Sequence, residues 1–423
     1  MRRSVIIFSG VILWGVLFLA LDVATAQVIW DRSQIDRIRQ EKPTGDTPQG
    51  KALAKLKGLA DLELAKAPFS VTHKKIVPPS GDVHDYLSFS RYWWPDPDKP
   101  DGLPYIRKDG VVNRKLIANG DRVRLGEFCN AVQALALTGY LLDDERYSRH
   151  AAKLVRTWFL DEATQMNPNL NFGQGVPGRA TGRGPGIIDT RGFMLVLDAV
   201  ELLDESTWSD EDQTGLQTWF DEYQKWLKDS PLGQHEERAT NNHGSWYAAQ
   251  RARYALFAGK EDIVREIIAG AKTRIGEQFD ADGNQAAEHK RTLSLHYCLF
   301  NLTALSRLAR VGDKIGEDLW GHTPDHGCGI RKGLDVLMPY LSKTNESEWP
   351  HEQITPVEIS PSTHLTLLLF SQHFNDSAYS SAVAKNALRH EERNFALLLA
   401  SGSQDAGSSS AADEKKALVP AGE

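Results

Sequence analysis

Apolar side chains recur at helical spacing over most of the chain, and the pattern fails at two long stretches. Between Lys51 and Lys66, Leu53, Leu56, Leu59 and Leu62 mark one face of an amphipathic helix. From Val123 to Leu141, Phe128, Val132, Leu135 and Tyr140 fall on or near one face, and Asp143-Asp144 turns the chain into a second helix over Arg146 to Leu160. Two antiparallel helices joined by so short a loop form a hairpin. The same spacing predicts helices over Ile188–Leu203, Asp210–Lys228, Asn242–Ala258, Glu261–Phe279, Leu293–Ala309, Ile330–Leu341, Ser362–Phe370 and Ala378–Leu399. No run of alternating strands stands out, and no repeat of fixed period suggests a solenoid.

Periodicity is lost over Val77–Asn113 and again over Asn167–Gly186, both dense in Pro, Gly and polar residues and the first also in aromatics. Loops of this length inside a compact domain are usually functional. Ile29–Gln49 is polar and expected to be irregular. Helical hairpins interrupted by two such loops fit an all-α fold, an α/α toroid (an incomplete barrel of helical hairpins) whose long loops form a substrate cleft or tunnel. One body over residues 27–400 is expected.

The ends read differently. Met1-Arg2-Arg3, an apolar run from Val5 to Leu21 and Ala24-Thr25-Ala26 have the charged, apolar and small-residue regions of a signal peptide cleaved after Ala26. The rival is a retained anchor, since the run is near the lower limit for a spanning helix. Cleavage implies a periplasmic or secreted protein with no membrane association afterwards. Residues 401–423 have too little apolar content to pack and are expected to be disordered.

Composition excludes some partners. Three scattered cysteines, Cys129, Cys298 and Cys328, make no disulfide framework, and neither Cys-x-x-Cys nor His-Glu-x-x-His supports a metal site. The formal charge of −7 disfavours nucleic acid. Against that balance Arg179, Arg183 and Arg191 surround the single acid Asp189, a local basic segment suited to a polyanion. Gln174, in so Gly-rich a setting, is expected to face a ligand. Trp93 and Trp94 are either anchors of their loop or a platform for sugar stacking.

Two further stretches carry chemistry: Asn241-Asn242-His243-Gly244-Ser245-Trp246-Tyr247, and Glu288-His289-Lys290-Arg291-Thr292-Leu293-Ser294-Leu295-His296-Tyr297. They offer the groups needed to remove a proton beside a carboxylate and protonate a leaving oxygen. Asn242 can donate to the carboxylate and Arg291 adds a fixed charge with forked donors. An imidazole titrates near neutrality, so His243 offers a proton acceptor. A phenol titrates near about 10, so Tyr297 suits an acid and becomes a base only beside cations, of which Arg291 is the natural one. Leu295, Leu299, Leu302 and Leu305 form an apolar stripe with Tyr297 off it, so Tyr297 is expected to point away from the core. At six positions' separation Arg291 falls on a different helical face, which places it in the loop or first turn before that helix. Each residue also has a bland reading: a helix cap for Asn242, a structural histidine, an Arg291–Glu288 ion pair, a core-edge phenol.

Taken in order, Ser90-Arg91-Tyr92-Trp93-Trp94-Pro95-Asp96-Pro97, Asp101-Gly102-Leu103-Pro104-Tyr105, Asn167-Pro168-Asn169-Leu170-Asn171, Gly186-Ile187-Ile188-Asp189-Thr190-Arg191, Asn241-Asn242-His243 and Glu288-x-x-Arg291-Thr292-x-Ser294-x-His296-Tyr297 resemble the alginate lyase superfamily, which includes polysaccharide lyase families five and thirty-eight. The resemblance spans about Leu53 to Met338. It implies the α/α toroid and metal-independent, cofactor-free, endolytic β-elimination on alginate or a related acidic polysaccharide. By position it implies that Asn242 and Arg291 neutralise the carboxylate, that His243 is the base or its partner, and that Tyr297 is the acid, or both acid and base in syn elimination. Tyr92, Trp93, Trp94, Gln174, Arg179, Arg191, Trp246, Tyr247, Glu288 and His296 are the expected substrate contacts. The long Trp-rich loop and the Arg-Thr-x-Ser-x-His-Tyr form are closer to family thirty-eight, so glucuronan is a further expected substrate. Two other classes fit the sequence: a glycoside hydrolase using a carboxylate pair drawn from Glu288, Asp189 and Glu127, and a non-catalytic polysaccharide-binding protein.

Overall fold

The computed structural model describes residues 28–341, 348–384 and 398. The expected signal peptide, the tail over residues 401–423 and the helix predicted beyond Ala384 lie outside the described residues.

Fifteen helices make up the described chain: α1 (Arg32–Glu41), α2 (Pro48–Leu64), α3 (Arg114–Ile117), α4 (Arg122–Leu142), α5 (Glu145–Phe159), α6 (Phe193–Val200), α7 (Asp210–Asp229), α8 (Pro231–Glu237), α9 (Asn242–Phe257), α10 (Glu261–Gln278), α11 (Ala286–His289), α12 (Ser294–Asp313), α13 (Ile330–Asp335), α14 (Pro361–Phe374) and α15 (Ser377–Ala384). Helices α4, α6, α9, α12 and α14 pack each on the next around the inside, and α5, α7 and α10 cover them from outside, giving an α/α toroid.

The two layers differ in residue pattern for a physical reason. Outer helix α5 buries Tyr147, Ala151, Leu154, Val155 and Trp158 and turns Arg146, Arg149 and Lys153 to water. Inner helix α9 has protein on nearly every side, so its polar side chains Asn242, Ser245, Gln250, Arg251 and Arg253 are buried too and each needs a partner. Arg253 finds two, Asp198 at 3.1 Å and Glu201 at 2.8 Å. Asp198 also accepts the backbone N–H groups of Val28, Ile29 and Trp30 at 3.3, 2.7 and 2.9 Å, which ties the N-terminal segment to the inner helices.

Three expectations are corrected. The segment Ile29–Gln49 is not irregular throughout: Asp31 caps α1, whose only buried residues are Ile35 and Ile38, too few to show a period among the charges. Over Ile188–Leu203 the chain first runs as a 3₁₀ turn, Gly184–Gly192, before α6 begins. The helix predicted over Ile330–Leu341 stops at Asp335 and is followed by a 3₁₀ turn, Met338–Leu341; Pro339 cannot continue an α-helical ladder.

The two aperiodic loops meet. Strand β1 (Leu87–Phe89) pairs in parallel with β4 (Phe172–Gly175), and β2 (Trp93–Trp94) pairs antiparallel with β3 (Ile106–Arg107). Segments of two to four residues are too short to show alternation in sequence. They join both loops into one wall at the end of the toroid where α9 and α12 begin. A strap at residues 349–354 lies along the start of α12: Ser294 N–H donates to the Glu352 carbonyl (3.1 Å), and Ile354 N–H to that of Thr292 (2.9 Å). At Gly110 the loop tip comes so near that a Cβ would lie 2.6 Å from Thr292 Oγ1, and its φ of +75° also favours glycine.

Candidate active site

The first turn of α9 carries Asn242 and His243, with Asn241 as its cap accepting from His243 N–H. His243 Nδ1 lies 2.7 Å from Oε2 of Glu236, at the end of α8, and Glu236 is 1% exposed. A buried carboxylate on Nδ1 fixes the ring and leaves Nε2 as the reactive nitrogen. His235 Nδ1 contacts the other oxygen, at 3.1 Å.

Asn242 differs from its expected posture. Its backbone N–H (2.7 Å) and side-chain amide (2.8 and 3.0 Å) all donate to Glu288, and its Oδ1 is buried without a partner. Asn242 therefore holds a protein carboxylate from α11, and Glu288 is engaged within the protein. Burial pushes the Glu288 carboxyl up, against the hydrogen bonds from Asn242 and the charges of Arg291 and His243. Feeling both of those charges, Glu288 links the starts of α9 and α12.

Arg291 lies in the turn before α12, as its spacing requires. It does not pair with Glu288 but makes a fork onto Asp109, with Nε to Oδ2 at 3.0 Å and Nη2 to Oδ1 at 2.9 Å. Thr292 and Arg107 also donate to Asp109. Burial would raise the Asp109 carboxyl, but Arg291 and Arg107 outweigh it and hold the group well below the usual carboxylate range. The Arg291 guanidinium carbon sits 3.6 Å from the centre of the Tyr297 ring.

Tyr297 is 8% exposed, not turned out of the core as expected, because α12 is enclosed on nearly every face. Its hydroxyl is 2.8 Å from that of Tyr92. Burial pushes the phenol up, as does Tyr92, while Arg291 and Arg91 pull it down; the net shift is upward. The resting phenol is thus protonated at neutral pH. His296 lies edge-on to Tyr297 at 5.3 Å and parallel to Phe300 at 6.0 Å.

The other expected contacts divide. Trp93 has the guanidiniums of Arg179 and Arg183 at 5.2 and 5.7 Å from its ring, and Trp94 donates to the Val111 carbonyl, which anchors the loop. Arg179 is exposed and also donates to the Tyr105 carbonyl. Gln174 is engaged within the protein: its amide donates to Asp189 (2.9 Å), whose buried carboxylate also takes Tyr86, Ser88 and Arg122. Tyr247 is buried with its hydroxyl on the Leu227 carbonyl (2.8 Å), and Trp246 is a core residue packed on Phe300. Arg191 lies beside the Trp246–Phe300 ring pair, 5.9 and 5.5 Å from their centres.

Asp109 and Glu236 escape a reading of the sequence. Asp109 lies 182 positions from Arg291 in an aperiodic loop, and Glu236 is one of two adjacent glutamates on a seven-residue helix. The only signal for either was its place in a long loop or beside the Asn-His pair.

The fold has counterparts. The family profile described as alginate lyase matches residues 70–349. The chain belongs to the alginate lyase family. Over 88% of this chain and 98% of the other, it is 34% identical to an alginate lyase from Bacteroides ovatus, with a TM-score of 0.80. Alginate lyase A1-III from Sphingomonas species A1, at 12% identity, shares the fold with a TM-score of 0.50 over 81% of this chain and 93% of that one. A tyrosine-to-phenylalanine variant of A1-III complexed with a tetrasaccharide gives 0.57 over 89% and 95%, also at 12% identity. No curated protein matches. The protein is a polysaccharide lyase.

Proposed function

We propose that this lyase cleaves a 4-linked polyuronate, alginate first and glucuronan second, by β-elimination that leaves an unsaturated uronate at the new end. The observation that carries the reading is Arg291, held in a fork by Asp109 and stacked on the ring of Tyr297. Neighbours whose names specify alginate support the substrate class. The N-terminal export pattern supports action in the periplasm or outside the cell.

Asp109 takes Nε and Nη2 of Arg291, so Nη1 is the donor for the substrate carboxylate. Neutralising that carboxylate makes the C5 proton removable and stabilises the enolate-like state. His243 Nε2 takes the proton, with Glu236 steadying the imidazolium, and Tyr297 gives its proton to the departing O4. This division suits a uronate whose C5 proton and O4 lie on opposite faces. Where they share a face, as in mannuronate, Tyr297 serves as base and then acid, with Arg291 and Arg91 stabilising the phenolate.

The two routes differ in pH dependence. On polyguluronate the phenol acts only as the acid and must keep its proton, so turnover gains nothing from alkaline pH. On polymannuronate the phenol, held above its ordinary range, must first lose a proton, so turnover keeps rising toward alkaline pH. Coincident pH–rate profiles on the two polymers would rule out this division of labour. Glu236→Gln removes the charge behind His243 and keeps its shape. Turnover on polyguluronate is expected to fall about a hundredfold or more with KM nearly unchanged; equal effects on both constants would assign Glu236 to binding.

The reading is tested by the ultraviolet absorbance of unsaturated product, with polymannuronate, polyguluronate and glucuronan offered in the presence of chelator. Rising absorbance on any of them supports it, and the preferred polymer names the epimer. New reducing ends without absorbance would overturn it in favour of hydrolysis.

A further inference from the structure

Helix α12 carries Tyr297 in its first turn, yet Leu293 at its cap position offers no side-chain acceptor. The N–H groups that open a helix have no partner within it, and left bare they weaken its first turn. Here the strap supplies the acceptors. Ser294 N–H donates to the Glu352 carbonyl at 3.1 Å, and those of Leu295 and His296 share the side-chain oxygen of Gln353 at 3.2 and 3.5 Å. The ladder of the helix itself begins with Tyr297, whose N–H meets the Leu293 carbonyl. Side chains reinforce the seam: Trp349 Nε1 donates to Ser294 Oγ, and Ser294 Oγ to the Glu352 carbonyl, both at 2.7 Å. Ile354 lies so close to Gly110, next to Asp109, that a Cβ there would be 2.8 Å from its Cδ1.

A pair of imidazoles fastens the strap. His351 stacks on His289 of α11 with ring centres 3.7 Å apart, and Trp349 stands edge-on to them at 5.1 and 5.5 Å. His289 Nε2 is buried without a hydrogen-bond partner, so an imidazolium there would leave an N–H unmet. Burial, and after it His351, hold the His289 imidazole down at about 4; Asp280, in the turn after α10, favours a proton and is outweighed. Glu288, beside it on α11, is turned to Asn242, Lys290 and the strap's Glu352 are exposed, and Tyr340 packs on Trp349 at 5.0 Å. A ring that titrates near about 6.5 when released and about 4 when stacked favours the closed strap fully above the higher value. That preference fades as pH falls toward the lower one, a window above the range in which Asp109 titrates.

We propose that the strap at residues 349–354 is a detachable cap of α12, with Gln353 as a positioning residue for Tyr297 and the His289–His351 stack as a fastening that acid undoes. Its consequence for turnover rests on the lyase reading. An uncapped first turn lets the phenol move off the leaving oxygen while Arg291 stays on Asp109, so rate suffers more than binding.

Hydrogen exchange, followed by mass spectrometry on peptides spanning residues 292–298 and 349–356 and corrected for its intrinsic pH dependence, reads the cap without substrate. From pH 7.5 to pH 5, exchange in both peptides should speed up about tenfold in the unaltered protein and less than about twofold in His289→Phe, which keeps a ring in the stack and takes no proton. Gln353→Ala should speed exchange in the first turn of α12 at pH 7.5 and lower kcat about tenfold, with KM within about twofold. Gln353→Glu, which keeps the acceptor, should restore most of that rate. Equal acceleration by acid in the unaltered protein and His289→Phe, or none in either, would overturn the fastening. Unchanged exchange and kcat in Gln353→Ala would overturn the cap. If His289→Phe does not fold, His351→Phe decides: without the repelling partner, acid should speed exchange less than in the unaltered protein, and an equal effect would overturn the fastening. An absence of unsaturated product from every polymer would defeat the lyase reading and leave the cap to be judged by exchange alone.

Discussion

Tyr297→Phe is expected to bind oligouronate as the unaltered enzyme does and to turn it over about a thousandfold more slowly. The substitution removes one oxygen and keeps the ring on which Arg291 stacks at 3.6 Å, so the carboxylate-binding guanidinium stays in place. What is lost is the proton donor to O4, and general acid–base groups commonly contribute about 10²–10⁴ in rate. The fold should lose little: Tyr92 gives up one hydrogen bond, worth about 1 kcal/mol. Absorbance of the unsaturated product measures turnover and calorimetry measures binding. A fall of less than about tenfold would remove Tyr297 from the chemistry. The same variant separates the rival classes, since a binding protein would not respond and a hydrolase would answer to carboxylates instead. Those are poorly placed for hydrolysis: Glu127 is exposed on α4, Asp189 is enclosed by four donors, and Glu288 is pinned by Asn242.

The fold was largely legible because apolar spacing is a local property. Leu295, Leu299, Leu302 and Leu305 announce α12, and the Asp143-Asp144 turn announces the α4–α5 hairpin. The outlook of a side chain was less legible on the inner helices, where the pattern that tells inside from outside is lost. Tyr297 stands off the leucine stripe and is still mostly buried. The site was legible in its residue types and not in its pairings. Arg291 and Glu288, three positions apart, are natural partners in sequence, yet each goes to a residue from another element, Asp109 and Asn242. Gln174 and Tyr247, chosen for their chemistry, are consumed by a buried carboxylate and a backbone carbonyl. Such commitments are made across tens to hundreds of positions and depend on the packing that the sequence specifies only as a whole.

Breaking the Arg291–Asp109 fork should harm stability and turnover together, in proportions that identify what the fork does. Asp109→Ala leaves a mostly buried guanidinium without its partner, and removing one member of such a pair costs about 3 kcal/mol or more. The Arg291 side chain is then free to swing off the Tyr297 ring, and turnover should drop about a hundredfold. Arg291→Lys keeps the charge but cannot satisfy both Asp109 oxygens and a substrate carboxylate at once. Its turnover should fall by a similar factor, with a smaller loss of thermal stability. Acid titration adds a sign. The Asp109 carboxyl is held well below its ordinary range, so the stability it contributes is full above the unfolded value of about 4 and is lost only as pH falls toward the lower folded one. Asp109→Asn should therefore flatten the acid limb of the melting-temperature profile, which Arg291→Lys would shift without abolishing. A profile for Asp109→Asn parallel to that of the unaltered protein would mean that the fork is not what orders this corner. The positioning of Arg291 would then have to come from the Tyr297 ring and the strap at residues 349–354.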